Sequence, residues 1–379
     1  MTATGPRVPL ADVRLPAEAI AAATRVLESG WLSSGPEVEQ FERDLAEYVG
    51  SPHAVACNSC TAAIQLALAA AEIGPGDEVV MPSLSFVAGA NVVVELGAEP
   101  VFCDVIGPDD LTLDPASLER CLTERTRAVI PMHYGGHPCA PEVVEIAYAA
   151  GAIVVEDAAH AIGATAEPGH CGTWADAGCY SFFANKNLPL GEGGMLVTAD
   201  ADLAARARSL RSHGMTTATW QRHQGHASSY DVTVPGYNQR LDELRAAMGS
   251  VLLSGLDDSN AARGRAVAHY LELLSGVSGV SVPFGGRPAT ERPANHIQVV
   301  VLDEGVDRDV VRDHLTEAGI QTSFHYPPTH TFTAHKGARA DVEVTEALAP
   351  RLLTLPLYPH LEDAQVEYVV GSLASALRL

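Results

Sequence analysis

Two residues near the middle of the chain could do chemistry together. Asp157 ends the apolar run at 152–157, and Lys186 follows a second run at 178–183 by a few residues. A lysine amine can hold a carbonyl carbon as a Schiff base, and an aspartate can keep a pyridine nitrogen protonated so that the ring withdraws electrons. Taken singly, an aspartate after a strand is more often a helix cap, and a lysine is more often solvated surface. Their joint placement favours the chemical interpretation without deciding it.

A third feature is the segment CNSCTAAIQLAL at 57–68, where an apolar strand ends, small polar residues turn the chain and a helix begins. The first N–H groups of such a helix and the hydroxyls of Ser59 and Thr61 would suit a phosphate. Ser59 could equally be a plain helix N-cap, which is compatible with phosphate binding. Ser181 could add another hydroxyl. The glycine-rich turn at 191–194 is not a dinucleotide fingerprint, which needs G-x-G-x-x-G opening a helix.

The seven cysteines indicate buried thiols and not a disulfide framework. Their number is odd and their spacing is scattered, which is typical of a reducing compartment. Cys57 and Cys60 form a C-x-x-C, but no second C-x-x-C exists to complete a zinc site. We therefore expect no metal, and a redox pair is a minor alternative.

Composition limits the classes of function. The chain has 379 residues, with 24 Lys+Arg against 47 Asp+Glu and a formal net charge of -23. This acidic balance disfavours binding to nucleic acid or to anionic lipid. The amino-terminal sequence has no apolar core of a secretory signal, and no apolar stretch is long enough to span a bilayer. The sequence therefore predicts a cytoplasmic protein.

The pattern of apolar runs predicts the elements that would position these residues. Two amphipathic helices, at about 16–29 and 37–48, follow an extended arm at 1–14. Short apolar runs then alternate with helical stretches up to about residue 198, which is typical of an α/β protein with a mostly parallel sheet. Ligands of such sheets bind beyond the carboxyl ends of the strands. Residues that directly follow a strand are therefore the candidates for chemistry.

The carboxyl-terminal part reads as a smaller α+β domain. Helices at about 201–214 and 241–256 are predicted before this domain. The domain itself is predicted to contain helices at about 260–275, 307–318 and 361–377 and strands at 296–303 and 320–326. The polar and aromatic segment 215–236 shows no period and predicts a long functional loop. Because single domains rarely exceed about 250–300 residues, we expect two domains. Their predicted ranges are 1–255 and 256–379.

Several ungapped motifs, in order, make the chain resemble the DegT/DnrJ/EryC1/StrS family of sugar aminotransferases. The resemblance covers nearly the whole chain and implies the aspartate-aminotransferase-like fold type I, with pyridoxal 5'-phosphate (PLP) as the cofactor. The motifs are ESGWLSSGPEVEQFE (28–42), NSCTAAIQLAL (58–68), GDEVVMPSLSFVA (76–88), PMHYGGHPC (131–139), VVEDAAHAIGA (154–164), SFFANKNLPLGEGG (181–194), GYNQRLDELRAAMG (236–249), FHYPPTH (324–330) and LPLYPHL (355–361).

The resemblance implies roles for the central residues. Lys186 would bond to PLP and then move a proton between cofactor and substrate carbons. Asp157 would pair with the pyridine nitrogen, His160 would contact the ring or its phenolic oxygen, and Phe86 would stack on the ring. Plain core packing is the alternative for Phe86, and a satisfied interior histidine is the alternative for His160. The phosphate would be held by three residues, namely Cys60 through its backbone N–H, Thr61 and Ser181.

The resemblance also implies residues near the substrate and a partner subunit. Asn238 would reach the phosphate of the neighbouring subunit, so that active sites form only in a homodimer. Arg240 would bind the carboxylate of an amino donor or a sugar diphosphate. Trp31, His325 and Tyr326 would line the substrate entrance, although aromatic residues pack at such places for other reasons too. The chain departs from many relatives at Cys60, where they have glycine.

The implied activity is amino transfer from glutamate or glutamine to a nucleotide-linked keto-deoxysugar. One branch of the family performs dehydration and has histidine at the position of Lys186, so the lysine favours transamination. The motif around His160 and the segment GWLSSGP at 30–36 favour the sugar 4-position weakly over the 3-position. The alternatives are a keto-cyclitol aminotransferase of aminocyclitol antibiotic assembly and a catalytically silent regulator that keeps the fold.

Overall fold

A central sheet of seven strands organises the amino-terminal two thirds of the chain. The computed structural model describes residues 7–216 and 229–378, so residues 217–228 of the predicted functional loop lie outside the described residues. The strands, in chain order, are β1 His53–Cys57, β2 Glu78–Pro82, β3 Glu99–Cys103, β4 Val105–Gly107, β5 Asp110–Leu113, β6 Thr126–Val129, β7 Ile153–Asp157, β8 Thr165–Ala166, β9 Gly169–His170, β10 Ala177–Ser181, β11 Gly194–Thr198, β12 Val280–Ser281, β13 Gln298–Leu302 and β14 Leu352–Leu355.

Helices flank this sheet and build the carboxyl-terminal part. They are α1 Ala17–Ser29, α2 Pro36–Val49, α3 Cys60–Ala70, α4 Ala88–Glu95, α5 Pro115–Cys121, α6 Glu142–Ala149, α7 Ala201–Arg211, α8 Glu243–Ser254, α9 Leu256–Leu274, α10 Arg308–Glu317, α11 Glu343–Leu348 and α12 Asp363–Ala376. Short 3-10 turns lie at Tyr134–Gly136, Thr329–Thr331, Thr333–His335 and Ala349–Arg351. None of the helices in the described part of the chain is long and apolar enough to cross a membrane.

The strand order of the large sheet is β1-β11-β10-β7-β6-β2-β3. The four pairings from β10 to β3 are parallel, whereas β11 runs antiparallel to both β1 and β10. The carboxyl ends of β1, β2, β6, β7 and β10 therefore meet at one edge, together with the amino end of β11. This arrangement confirms the predicted α/β class with a mostly parallel sheet.

Helix α3 packs against β10 and β11 in the core of the large unit. Its sequence CTAAIQLALAA is apolar on almost every face, and eight of its eleven residues are buried. A helix that is apolar all round can be stable only where it is covered on all sides. This burial fixes the amino end of α3 against the carboxyl edge of the sheet.

The carboxyl-terminal unit contains a three-stranded antiparallel sheet in the order β12-β13-β14. Residues of α9, α10 and α12 share its apolar core. The predicted strand at 320–326 is wrong, because this segment forms single bridges with two different partners, Ile320 with Val8 and Ser323 with Thr354. Each bridge is isolated, because no adjacent pair of residues extends it into a ladder. The predicted domain ranges 1–255 and 256–379 remain a prediction, with Gly255 between α8 and α9.

Candidate active site

A cleft of about 430 Å³ opens at the carboxyl edge of the large sheet. Its walls come from the ends of four strands, the first turn of α3 and two segments of the carboxyl-terminal unit. Nine of the twelve residues that the sequence predicted for the site line this cleft, namely Cys60, Thr61, Phe86, Asp157, His160, Ser181, Lys186, His325 and Tyr326.

Asp157 is the last residue of β7 and is almost completely buried. Its Oδ1 accepts a hydrogen bond from the Ala159 N–H at 3.0 Å, and no donor among the described residues serves Oδ2. Burial raises the pKa of Asp157 above its ordinary value, while the Ala159 N–H and the positive charge of Lys186 act in the opposite direction. The carboxylate thus keeps one oxygen for a positively charged ligand group in the cleft.

Lys186 lies in the turn after β10, where its backbone N–H donates to the Phe183 carbonyl at 2.9 Å. The side-chain Nζ lies 3.4 Å from Nε2 of His296. Burial lowers the pKa of Lys186 to about 8, although the negative charge of Asp157 raises it. A large share of the amine is therefore unprotonated at a pH where an exposed lysine is fully charged. Such an amine can attack a carbonyl carbon.

His160 follows β7 by three residues and is buried in the cleft wall. The Gly135 N–H donates to its Nδ1 at 3.2 Å, so in the neutral ring the proton lies on Nε2. That Nε2–H donates to the hydroxyl of Tyr326 at 2.8 Å. Burial, followed by the charge of Lys186, holds the pKa of His160 well below its usual range. His160 therefore stays neutral and acts as a fixed hydrogen-bond group.

Two aromatic residues form the outer wall of the cleft. The ring of Phe86 is 55% exposed and lies 5.9 Å from the ring of Tyr326. This exposure argues against the alternative that Phe86 is core packing. His325 is held by a hydrogen bond between its Nδ1 and Thr354 Oγ1 at 2.9 Å, and burial lowers its pKa to about 4. These residues leave an apolar surface open to a planar ligand.

The amino end of α3 supplies donors for an anion. Ser59 is the N-cap, and its hydroxyl accepts from the Ala62 N–H at 3.1 Å. The N–H groups of Cys60 and Thr61 have no acceptor among the described residues. Gly194 lies against this turn so closely that a Cβ there would stand 2.3 Å from the Ser59 carbonyl carbon. The lack of a side chain at Gly194 thus allows the start of β11 to pack closely against the anion site.

Three predicted residues lie outside the cleft within one chain. Trp31 packs beside Gly35, near the buried Glu243 carboxylate that accepts from the amino end of α2. Asn238 is exposed and forms a backbone bridge with Ser212. Arg240 forms a backbone bridge with Cys57 at the end of β1. The described part of one chain does not bring these three side chains to Lys186.

Several lining residues were not predicted from the sequence. His296 comes from the segment before β13, and Asn185 and Glu192 come from the turn that carries Lys186. Asn185 and Glu192 stand inside the motif SFFANKNLPLGEGG and could have been found by its position after β10. His296 lies 110 residues beyond Lys186 and has no local pattern that points to the cleft.

The cysteines do not form a second reactive site apart from the cleft. All seven are free thiols. Cys57 is buried in β1, and burial raises its pKa to about 12, while the Cys60 thiol donates to the Cys179 carbonyl at 3.4 Å. Within residues 7–216 and 229–378, no group of three or more His, Cys, Asp or Glu side chains could hold a metal ion. The thiols of the C-x-x-C thus pack into the protein interior.

The donor set of the cleft fits PLP. The unpartnered N–H groups of Cys60 and Thr61 and the hydroxyl of Ser181 could hold its phosphate. The free Oδ2 of Asp157 could accept from its protonated pyridine nitrogen, and the Lys186 amine could bond to its aldehyde carbon. Each of these groups is positioned by backbone hydrogen bonds or by packing. The positions of these groups would favour one orientation of the cofactor.

Comparisons with known proteins identify the family of the chain. The model of the DegT/DnrJ/EryC1/StrS aminotransferase family matches residues 14–374. A spore coat polysaccharide biosynthesis protein of Bacillus subtilis is 40% identical over 371 residues, which are 95% of each chain. The dTDP-3-amino-3,4,6-trideoxy-alpha-D-glucose transaminase of Streptomyces venezuelae is 39% identical over 97% of this chain and 95% of its own.

The fold has close counterparts among solved structures. The crystal structure of the aminotransferase TlmJ from Streptoalloteichus hindustanus superposes with a TM-score of 0.91 at 35% identity, over 98% of this chain and 99% of that chain. A putative sugar aminotransferase from Streptococcus pneumoniae, solved in its PLP form, superposes with a TM-score of 0.89 at 27% identity, over 98% of each chain. These relatives confirm fold type I and PLP as the cofactor. The chain belongs to the DegT/DnrJ/EryC1/StrS aminotransferase family and is a PLP-dependent sugar aminotransferase.

Proposed function

We propose that the protein transfers the amino group of glutamate, or of glutamine, to a nucleotide-linked keto-deoxysugar. The observation that carries the proposal is the joint presence of Lys186 and Asp157 in one cleft beside the free donors of α3. Position 186 is the lysine that amino transfer needs. The Streptomyces relative, a transaminase named for a nucleotide-linked amino sugar, supports a substrate of this class.

In this proposal each of these protein residues has a separate role. PLP, when bound, supplies an electron sink that stabilises negative charge on the substrate carbon. The Lys186 amine removes a proton at one carbon and returns it at another, and its pKa of about 8 suits both directions near neutral pH. Asp157 holds the proton on the ring nitrogen. His160 is neutral and is held in the cleft wall by Gly135 and Tyr326, where its ring would contact the cofactor ring.

The carbon that receives the amine is a finer part of the proposal. The sequence motifs favour the 4-position weakly, whereas the relative at 39% identity carries a name with the amino group at the 3-position. The acceptor assay must therefore contain both keto isomers. We retain the 4-position as the prediction that this assay tests.

The experiment has two stages. Absorbance spectra of the purified protein are recorded before and after addition of glutamate or glutamine, and loss of the PLP band identifies the donor. Nucleotide-linked 4-keto and 3-keto deoxysugars and a free keto-cyclitol are then added to the amine-loaded protein. Return of the PLP band with a nucleotide-linked sugar, and not with the cyclitol, is the expected result. Turnover of the cyclitol alone would favour the alternative of aminocyclitol assembly.

A homodimer with shared sites is a further part of the proposal. Asn238 stands on a segment whose Tyr230, Val232 and Val234 side chains are all more than 40% exposed, as expected for a surface that a second copy covers. Arg240 and Trp31, which also lie outside the cleft of their own chain, would complete the neighbouring entrance. The amide of Asn238 would then reach the phosphate bound by the partner subunit.

Subunit mixing tests the shared site. We expect Asn238→Ala alone to weaken PLP retention about tenfold or more, because a hydrogen bond to a charged phosphate is lost. When Asn238→Ala and Lys186→Ala chains are unfolded and refolded together, half of the dimers should be mixed, with one intact site each. Activity should then return to about a quarter of the wild-type value. Activity no greater than that of the two separate variants would contradict shared sites.

A further inference from the structure

A chain of hydrogen-bonding side chains leads away from Lys186 into the protein. The Lys186 Nζ lies 3.4 Å from Nε2 of His296, and Nδ1 of His296 lies 3.0 Å from Oδ1 of Asn187. The Asn187 amide nitrogen donates to Asn260 Oδ1 and to the Ala294 carbonyl, both at 2.7 Å. The Asn260 amide donates in turn to the Ile162 carbonyl at 3.0 Å. Thus one chain joins the Lys186 turn, α9 and the segment before β13.

This chain determines which nitrogen of His296 carries the proton. The Ala294 carbonyl can only accept, so the Asn187 atom that faces it must be the NH₂ group. The Asn187 oxygen therefore faces His296 Nδ1, which must donate. In the neutral imidazole, Nε2 then carries no proton and can only accept a hydrogen bond. It is this acceptor that faces the amine of Lys186.

The surroundings of His296 keep the ring neutral. The side chain is 5% exposed, and its ring centroid lies 4.3 Å from that of His160. The positive groups that act on it are Lys186 and Arg263, whose guanidinium donates to the His296 carbonyl at 3.3 Å, and His325 lies in the same cleft. Burial and these groups hold the pKa of His296 well below its usual range. A proton between Lys186 and His296 therefore belongs to the lysine.

We propose that His296, with its proton fixed on Nδ1 by Asn187, is a positioning residue that accepts a hydrogen bond from the free Lys186 amine and aims it into the cleft. The inference rests on the proposed role of Lys186 in amino transfer. His296 would act in those steps of the reaction in which the amine of Lys186 is not bonded to another molecule. There the acceptor restricts the rotation of a flexible four-carbon side chain, which would otherwise sample many rotamers.

The proposal predicts a measurable change in Lys186 itself. The chain contains two lysines, Lys186 and the exposed Lys336. The pH dependence of acetylation can therefore be followed at each lysine by peptide mass spectrometry in the full-length protein freed of PLP. For the wild type we expect a Lys186 midpoint near the pKa of about 8. Lys336 serves as the internal reference in every sample.

Three variants distinguish positioning from general packing. His296→Leu removes the acceptor that stabilises the ammonium form, so the Lys186 midpoint should fall by about one pH unit. His296→Gln places an amide oxygen near the Nε2 position and should restore most of the wild-type midpoint. Asn187→Leu frees the His296 proton to occupy either nitrogen, and should shift the midpoint in the same direction by a smaller amount. Lys336 should not change.

Kinetics provide the second readout. In His296→Leu we expect kcat to fall about tenfold or more with a smaller change in KM, since the amine is misdirected while the substrate contacts remain. An unchanged Lys186 midpoint in both His296→Leu and Asn187→Leu would overturn the proposal. If the midpoints shift as expected while the wild type transfers no amine, the contact between His296 and Lys186 stands and the proposed function fails.

Discussion

Lys186→Ala should abolish amino transfer while the protein remains folded. The Lys186 amine is the only lysine amine in the cleft as described, so no neighbouring group of the same kind can replace it. Loss of a nucleophile of this type typically lowers kcat by about 10⁴-fold or more. Because the side chain lines a cleft and is not part of the apolar core, the fold should survive. Turnover in a coupled assay and circular dichroism spectra measure the two effects.

The other lysine provides a matched control. Lys336 is exposed and lies outside the cleft, so Lys336→Ala should leave kcat unchanged. Lys186→Arg, which keeps a positive charge but cannot attack an aldehyde at neutral pH, should be as inactive as Lys186→Ala. Lys186→Ala should still bind PLP through Asp157 and the amino end of α3. Undiminished turnover in Lys186→Ala would contradict the assignment of the site.

Asp157→Asn should have the second largest effect. The amide keeps the size of the side chain and can still accept from the Ala159 N–H, but it carries no charge to hold a proton on the ring nitrogen. Removal of one preorganised electrostatic partner lowers kcat by about 100- to 1,000-fold. The measurement is kcat with saturating donor and PLP, together with the absorbance of the bound cofactor. Normal kcat with a normal spectrum would exclude the pairing.

A buried carboxylate outside the cleft controls for stability. Asp104 is buried and accepts from the Val344 and Thr345 N–H groups, both at 2.7 Å. Asp104→Asn should lower the midpoint temperature of thermal unfolding but should leave kcat unchanged.

The dependence on pH below neutrality is a further test of Asp157. Burial raises the pKa of Asp157 in the cofactor-free protein, so PLP binding should weaken on acidification at a higher pH than for an exposed aspartate, as the carboxylate takes up a proton.

The core of the cleft could be predicted because its residues stand directly after apolar strands. Asp157 ends β7, Ser181 ends β10, and Cys60 begins the helix that follows β1. Parallel strands bring such positions to one edge whatever the length of the intervening chain. The end of a strand can be recognised from local sequence, and the parallel arrangement then places the residues at these ends close together. This is why the phosphate and pyridine contacts were predicted together.

The remaining lining residues depend on contacts that no local pattern encodes. His296 and His325 reach the cleft from the carboxyl-terminal unit, and the segment that carries His325 was predicted as a strand but pairs with two different partners. From the resemblance alone, Trp31 and Arg240 were predicted beside the substrate and Asn238 at the phosphate of the neighbouring subunit. Their positions outside the cleft of one chain agree with a need for a second copy, which stays a prediction.

The sequence by itself determined the α/β class from its apolar runs and the family from the order of its motifs. It also predicted which residues would bond to or hold the cofactor, because that prediction depends on residue type and on position after a strand. Only the tertiary structure decided the protonation of these groups. The pKa of Lys186 and the neutral state of His160 follow from burial and from charges that are distant in the chain. The proton of His296 is placed by Asn187, 109 residues away, through the Ala294 carbonyl. Such electrostatic effects depend on distance in space, which sequence spacing does not measure.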